Sequence, residues 1–201
     1  MLHLAYIYDI VNEKLKIMFK NYFVLLFSSL LLIGFSSCDN EPDDDDINQQ
    51  EVITTMTLTL TPADGVPVVL SFLDEDGDQE GIITGGTLES NTTYTGTIQL
   101  LNETTTPPED VTEEVRIKDD EHQLFFQSTI DGLSVDYNDA DDNGNPLGIS
   151  TTITTGAAGS GTLIVTLLHE PLKELASVMN GDISEAGGET DIEVPFEIEI
   201  Q

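Results

Sequence analysis

From Glu51 onward the chain alternates. Across Val52 to Thr61, Met56, Leu58 and Leu60 are separated by Thr55, Thr57, Thr59 and Thr61. A period of two, built from good β-formers, predicts a strand with one wet face. Pro62-Ala63-Asp64-Gly65 is a turn signal, and Val68 to Leu73 follows as a second strand. Beyond the acidic loop Asp74-Glu75-Asp76-Gly77-Asp78 lies a short strand, Ile82-Ile83-Thr84, with Gly85-Gly86 read as a hairpin turn. Thr92 to Leu101 alternates again through Tyr94, Gly96, Ile98 and Leu100, and Pro107-Pro108 closes that section.

Asp110 to His122 fits two patterns. Val111, Val115 and His122 mark one helix face, with Asp110 or Thr112 as cap and Glu113 and Glu114 suited to the helix dipole. Val115 and Ile117 also alternate as a strand would, and the capping signals favour a short helix. Strands then follow at Leu124 to Ser128, Leu133 to Tyr137, Leu147 to Thr154 and Gly161 to His169. The last is apolar on both faces, as a central strand is. A loop through Pro171, Gly181 and Gly187-Gly188 has room for one helical turn at Leu172 to Met179. In Asp191 to Gln201, Ile192, Val194, Phe196, Ile198 and Ile200 face inward, while Asp191, Glu193, Glu197 and Glu199 face out. Pro195 lacks a ladder donor and marks an edge or a bulge. These elements predict an all-β, immunoglobulin-like β-sandwich of about seven to nine strands, with at most one or two short helices.

The region before Glu51 follows other rules. Phe23 to Phe35 is an apolar run of 13 residues, flanked by Lys16 and Lys20. A membrane-spanning helix needs about 20 residues, so the run reads as the core of a signal peptide. Ser36 and Ser37 are the small residues that precede the cysteine of a lipoprotein signal, with Phe35 where Leu is usual. Residues 1–37 are thus read as signal peptide, with the true start at Met18. Cys38 is the lipidation site and the chain's link to the membrane. Its acyl chains bury methylenes at about 0.8 kcal/mol each, so two or three of them anchor stably. Residues 39–50, with the run Asp43 to Asp46, form an acidic extended tether. The domain is 51–201.

Charge narrows the partners. The chain carries 38 acidic and six basic residues, a formal net charge of −32, and only Arg116, Lys118 and Lys173 are basic after Cys38. Such a surface repels phosphates, which argues against nucleic acid. Cys38 is the sole cysteine, so there is neither a disulfide framework nor a cysteine zinc site.

Two kinds of candidate site remain. Asp74, Asp76 and Asp78 around Gly77, and Asp139, Asp141 and Asn143 before Gly144, place oxygen donors at alternate positions, as calcium loops do. The twelfth position of an EF-hand is Gly85 in one and Ser150 in the other, so neither is an EF-hand, and the same residues serve plain hairpin turns. His122 follows Asp119-Asp120-Glu121, and His169 precedes Glu170. Brought together with a carboxylate, they would suit Zn2+ or Cu2+; apart, they are ordinary strand-end residues. No nucleophile elbow appears, and with no Trp, only Tyr94 and Tyr137 qualify as sugar platforms.

Several segments carry a family resemblance: Glu51-Val52-Ile53-Thr54-Thr55, the Asp76-Gly77-Asp78 loop, and Thr112-Glu113-Glu114-Val115 leading to Glu121-His122-Gln123. Others are Asn145-Pro146-Leu147-Gly148, Gly161-Thr162 through His169-Glu170-Pro171, and Gly187-Gly188-Glu189-Thr190-Asp191-Ile192-Glu193-Val194. With these, the chain resembles small flavobacterial-type outer-membrane lipoproteins of the Bacteroidota, often labelled "type 1 periplasmic binding fold superfamily protein". The acidic run after Cys38 also resembles their export signal to the outer face of the outer membrane. The resemblance brings no catalytic residues. The expected function is a lipid-anchored, non-enzymatic envelope binding or accessory protein, partnered with an outer-membrane receptor for metal or nutrient uptake. The alternative is a structural or adhesive surface module with calcium-stabilised loops; an envelope hydrolase ranks third.

Overall fold

The computed structural model describes residues 51–74 and 81–201, all within the compact unit Gln49–Gln201. The signal segment, Cys38, the acidic tether, Asp76 and Asp78 lie outside the described residues. Alternation yields the strands it predicts. In β1 (Thr55–Pro62), Met56, Leu58 and Leu60 are fully buried and the threonines between them are half-buried. Each fully buried side chain of that size contributes about 1.5–3 kcal/mol relative to exposure.

Two sheets form. The first runs in the order β3 (Ile82–Thr84), β2 (Val68–Leu73), β1, β5 (Thr93–Asn102), β9 (Ser150–Thr154), β8 (Ser134–Tyr137), with β6 (Glu109–Asp110) also paired to β5. The second is β4 (Gly86–Leu88), β11 (Glu189–Ile200), β10 (Gly159–His169), β7 (His122–Ser128). Leu58, Leu70, Ile98 and Ile153 of the first belong to one core with Leu124, Val165, Val194 and Phe196 of the second. The all-β sandwich is therefore as expected. It has eleven strands rather than seven to nine among the described residues, because β3, β4 and β6 are only two or three residues long.

The glycine pair at 85–86 departs from its predicted role. β3 and β4 do not form a hairpin: β3 pairs with β2 in the first sheet, and β4 runs parallel to β11 in the second. The chain crosses between sheets there, and a Cβ on Gly85 would sit 2.0 Å from the Glu197 carbonyl oxygen. Residues 147–149, expected to begin a strand, also bridge the sheets. The Leu147 carbonyl accepts from Leu124 N at 2.7 Å and the Ile149 carbonyl accepts from Ile98 N at 2.9 Å.

The predicted helix is α1 (Val111–Ile117). Asp110 caps it by accepting from Thr112 N, and Val111 and Val115 bury one face. The Thr112 hydroxyl accepts from Leu100 N at 2.8 Å and donates to Leu100 O at 3.1 Å, tying the helix to β5. His122, considered for this helix face, instead opens β7. The outer face of the second sheet is covered by the segment after β10, with α2 (Ala176–Met179) and a 3-10 turn (Ile183–Glu185). Phe125, Leu168, Val178 and Ala186 form a second small core there. This explains why β10 is apolar on both sides. No described helix is long and apolar enough to cross a membrane.

Candidate metal centre

β7 and β10 are antiparallel neighbours in which His122 stands directly opposite His169. Along each strand the histidine keeps the parity of core residues: Leu124 and Phe126 on β7, Leu163, Val165 and Leu167 on β10. Both imidazoles therefore enter the space between the sheets, at its end. His122 is fully buried and His169 is 8 % exposed. Their rings stack with centroids 4.7 Å apart and 13° between planes.

The third residue is one that alternation misplaces. Asp191, expected to face solvent, is 2 % exposed. Leu167 pairs with Ile192 and Leu168 with Thr190, so Asp191 is the extra residue of a β-bulge on β11. A bulge breaks the period of two and re-aims the side chain it carries. Asp191 Oδ2 lies 3.7 Å from His122 Nε2. One donor atom from each of His122, His169 and Asp191 falls within 4.8 Å of the others.

Hydrogen bonding sets the tautomer. His122 Nδ1 is 3.0 Å from the Lys118 carbonyl oxygen, which only accepts, so Nδ1 carries the proton. In the neutral ring Nε2 then presents a lone pair, and it has no hydrogen-bond partner. Burial pushes the His122 pKa below its ordinary value and so favours that neutral form. On His169, Nε2 faces Glu121 Oε2 at 3.7 Å, while buried Nδ1 has no hydrogen-bond partner. A histidine held from behind by a carbonyl or carboxylate is the usual arrangement of a metal ligand. Burial lifts the Asp191 carboxyl to about 6, against the pull of His169 and of the Glu51 backbone N–H.

Two imidazoles and a carboxylate make an N2O set suited to zinc or copper. Tetrahedral zinc with bonds of about 2.0–2.1 Å wants donors about 3.3 Å apart. Imidazole lone pairs lie in the ring plane, so two parallel rings cannot aim at one ion. Loading requires one ring to turn out of the stack as the donors close in.

The other predicted residues lie elsewhere. Asp139 accepts from Gly148 N and Ser150 N, both at 2.8 Å. Asp141 is 6 % exposed, and its Oδ1 accepts from Asn143 N and Asn145 N, both at 2.9 Å. Its Oδ2 takes the Lys173 ammonium at 3.0 Å and Asn145 Nδ2 at 3.2 Å. Burial raises the Asp141 pKa, but these donors outweigh it and the net shift is downward. Lys173 also donates to the carbonyls of Asp119 and, at 2.9 Å, His122. All four carboxylate oxygens of Asp139 and Asp141 thus face protein donors, and the Asn143 side chain contributes none of these bonds. Asp74 is buried. Tyr94 is buried with its hydroxyl on Glu89 N at 2.8 Å, and Tyr137 donates to Leu124 O at 2.8 Å, so neither offers a free ring face for a sugar.

Comparison with protein-family models, curated proteins and solved structures gives no match to this chain.

Proposed function

We propose that this chain is a lipid-anchored, non-enzymatic binding protein of the cell envelope whose ligand is a transition-metal ion. His122, His169 and Asp191 would hold the ion. The observation that carries this reading is their convergence, with two buried imidazole nitrogens lacking hydrogen-bond partners. Leaving such groups unpaired costs about 1–3 kcal/mol each, an expense that a fold retains where a ligand is expected. The lipidation motif at Cys38 supports placement at the outer membrane, facing the cell surface, and delivery to an uptake receptor is the accessory role that fits. The calcium alternative draws less support, because Asp139 and Asp141 already serve protein donors.

Calorimetric titration of metal-stripped protein with zinc, copper and calcium tests the reading. One equivalent of zinc or copper should bind, and the His122→Ala/His169→Ala double variant should not bind it. Absence of zinc and copper binding, or equal binding by the double variant, would overturn it. Anchoring is tested separately: Cys38→Ala should move the protein from the membrane to the soluble fraction without changing its melting curve.

A further inference from the structure

We infer that Glu51 is the fourth ligand of this centre and that Lys118 holds it aside until a divalent ion arrives. The inference rests on the metal reading above and specifies how the site closes. Three protein donors leave a tetrahedral ion one open position. A closed set of four is the mark of a site that keeps its ion, and an open position the mark of one that does chemistry.

Charge argues for a second carboxylate. Two neutral imidazoles and Asp191 around a divalent cation leave a net positive charge buried between the sheets. Adding one more carboxylate makes the centre neutral, which is the state a low-dielectric interior tolerates. Four glutamates are near enough to consider, and one of them, Glu189, whose charge reaches Asp191, is exposed on the strand opposite His169. Glu121 faces His169 Nε2, the nitrogen opposite the buried Nδ1, and its side chain is 46 % exposed. It stands behind a ligand rather than among the ligands. Glu114 is on α1, paired with Lys118 at 3.0 Å. Glu51 alone combines shielding with proximity. Its side chain is 13 % exposed, and its backbone N–H is directed at Asp191. Its carboxyl feels the charges of both Asp191 and His169.

Lys118 supplies the restraint. Its ammonium lies 3.7 Å from Glu51 Oε1, and its charge reaches His122 and Asp191. Its carbonyl meanwhile fixes the His122 tautomer. One residue therefore prepares a ligand with its main chain and occupies another with its side chain. Metal entry exchanges an ammonium–carboxylate pair for a metal–carboxylate bond, with no proton transferred. The set contains no sulfur, so it favours a divalent borderline ion such as Zn2+ over monovalent copper.

Cobalt(II) serves as the probe, since four-coordinate cobalt absorbs visible light much more strongly than five- or six-coordinate cobalt. Metal-stripped wild-type chain loaded with cobalt should give the strong four-coordinate spectrum. Glu51→Gln should weaken zinc binding by at least about 10–100-fold, the loss caused by removing even a supporting carboxylate. Its cobalt spectrum should fade to the weak higher-coordinate form as water enters. Lys118→Met should act in the opposite direction and tighten zinc about fivefold to tenfold by removing a facing charge. Glu121→Gln should leave the cobalt spectrum four-coordinate. If Glu51→Gln kept wild-type affinity and spectrum while His122→Ala lost binding, the fourth-ligand inference would be overturned with the site itself intact. Lys118→Met binding no tighter than wild type would overturn the restraint. A wild-type chain that binds neither ion would remove both readings.

Discussion

The fold buries two ionisable clusters and treats them in opposite ways. Around Asp141, every carboxylate oxygen is met by protein donors, the Lys173 ammonium completes the set, and the acid's pKa falls. Around Asp191, two imidazole nitrogens have no hydrogen-bond partner, the rings stack, and the acid's pKa rises to about 6. Burial alone therefore says little about what an acid is for. What separates the two is which influence wins: donors hold Asp141 down, whereas burial holds Asp191 up. Asp141 has its cation built in, as Lys173. Asp191 sits beside two imidazoles whose buried nitrogens would take the proposed cation. The clusters are also linked, since Lys173 donates to the His122 carbonyl and so braces the strand end that carries a proposed ligand.

Breaking the satisfied cluster should have the largest effect. Lys173→Met leaves Asp141 buried without its cation and strips the donor from the carbonyls of Asp119 and His122. Removing one partner of a buried pair costs about 3–5 kcal/mol, to be read as a lower urea midpoint at pH 7. Acid should act on the same pair. Asp141 is held below its ordinary value of 3.8, so its contribution is full above that pH and is lost as pH falls through its depressed folded-state value. A Lys173→Met chain as stable as wild type would show that the pair is not what secures this loop.

Supplying the proposed cation to the other cluster comes next. Zinc at 100 times its dissociation constant should add about 2.7 kcal/mol to unfolding, and a chelator should remove it. A melting curve indifferent to zinc would place Asp191 in the same structural class as Asp141.

A subtler effect is expected from Asp191→Asn. The folded protein retains the Asp191 proton up to about pH 6, whereas the unfolded chain releases it near 3.8. Folding is thus progressively penalised as pH rises between those values, and the penalty is complete above them. Asn cannot ionise, so the variant should be more stable than the metal-free wild type at pH 7, on the order of 1–3 kcal/mol. The advantage should fade towards pH 4, and zinc should stabilise the variant no longer. A variant that is less stable at pH 7 would mean that the Asp191 charge is well compensated without metal.

The contrast between the clusters was only partly legible in the chain. Threonine–leucine alternation in β1 and the Asp110 cap of α1 are local signals, and local signals survive folding. The two histidines were readable as candidates because they are the domain's only ones. Their direct opposition depends on the β7–β10 register, which pairs residues 47 positions apart through Leu124 and Leu167. Asp191 was misplaced because its burial comes from a bulge, and Glu189-Thr190-Asp191-Ile192 alternates in sequence as though the ladder were regular. The loop at Asp139–Asn145 resembled a calcium site because Asp, Asn and Gly serve both purposes. Its cation turned out to be a lysine from a distant segment, which spacing within the loop could not show.

The smallest expected effect asks how firmly the metal cluster is framed. The Lys118 carbonyl that fixes the His122 tautomer follows α1, so loosening the helix could disturb the centre. Asp110→Ala removes the N-cap bond to Thr112 N and should cost about 1 kcal/mol. The helix is nevertheless clamped by the Thr112 hydroxyl on Leu100 and by the buried Val111 and Val115. Fraying should stop at the first turn, several residues before Lys118. Zinc affinity in Asp110→Ala should therefore equal that of wild type, measured by the same titration. A parallel loss of affinity would show that the helix end, rather than the sheet register, sets the geometry of the centre.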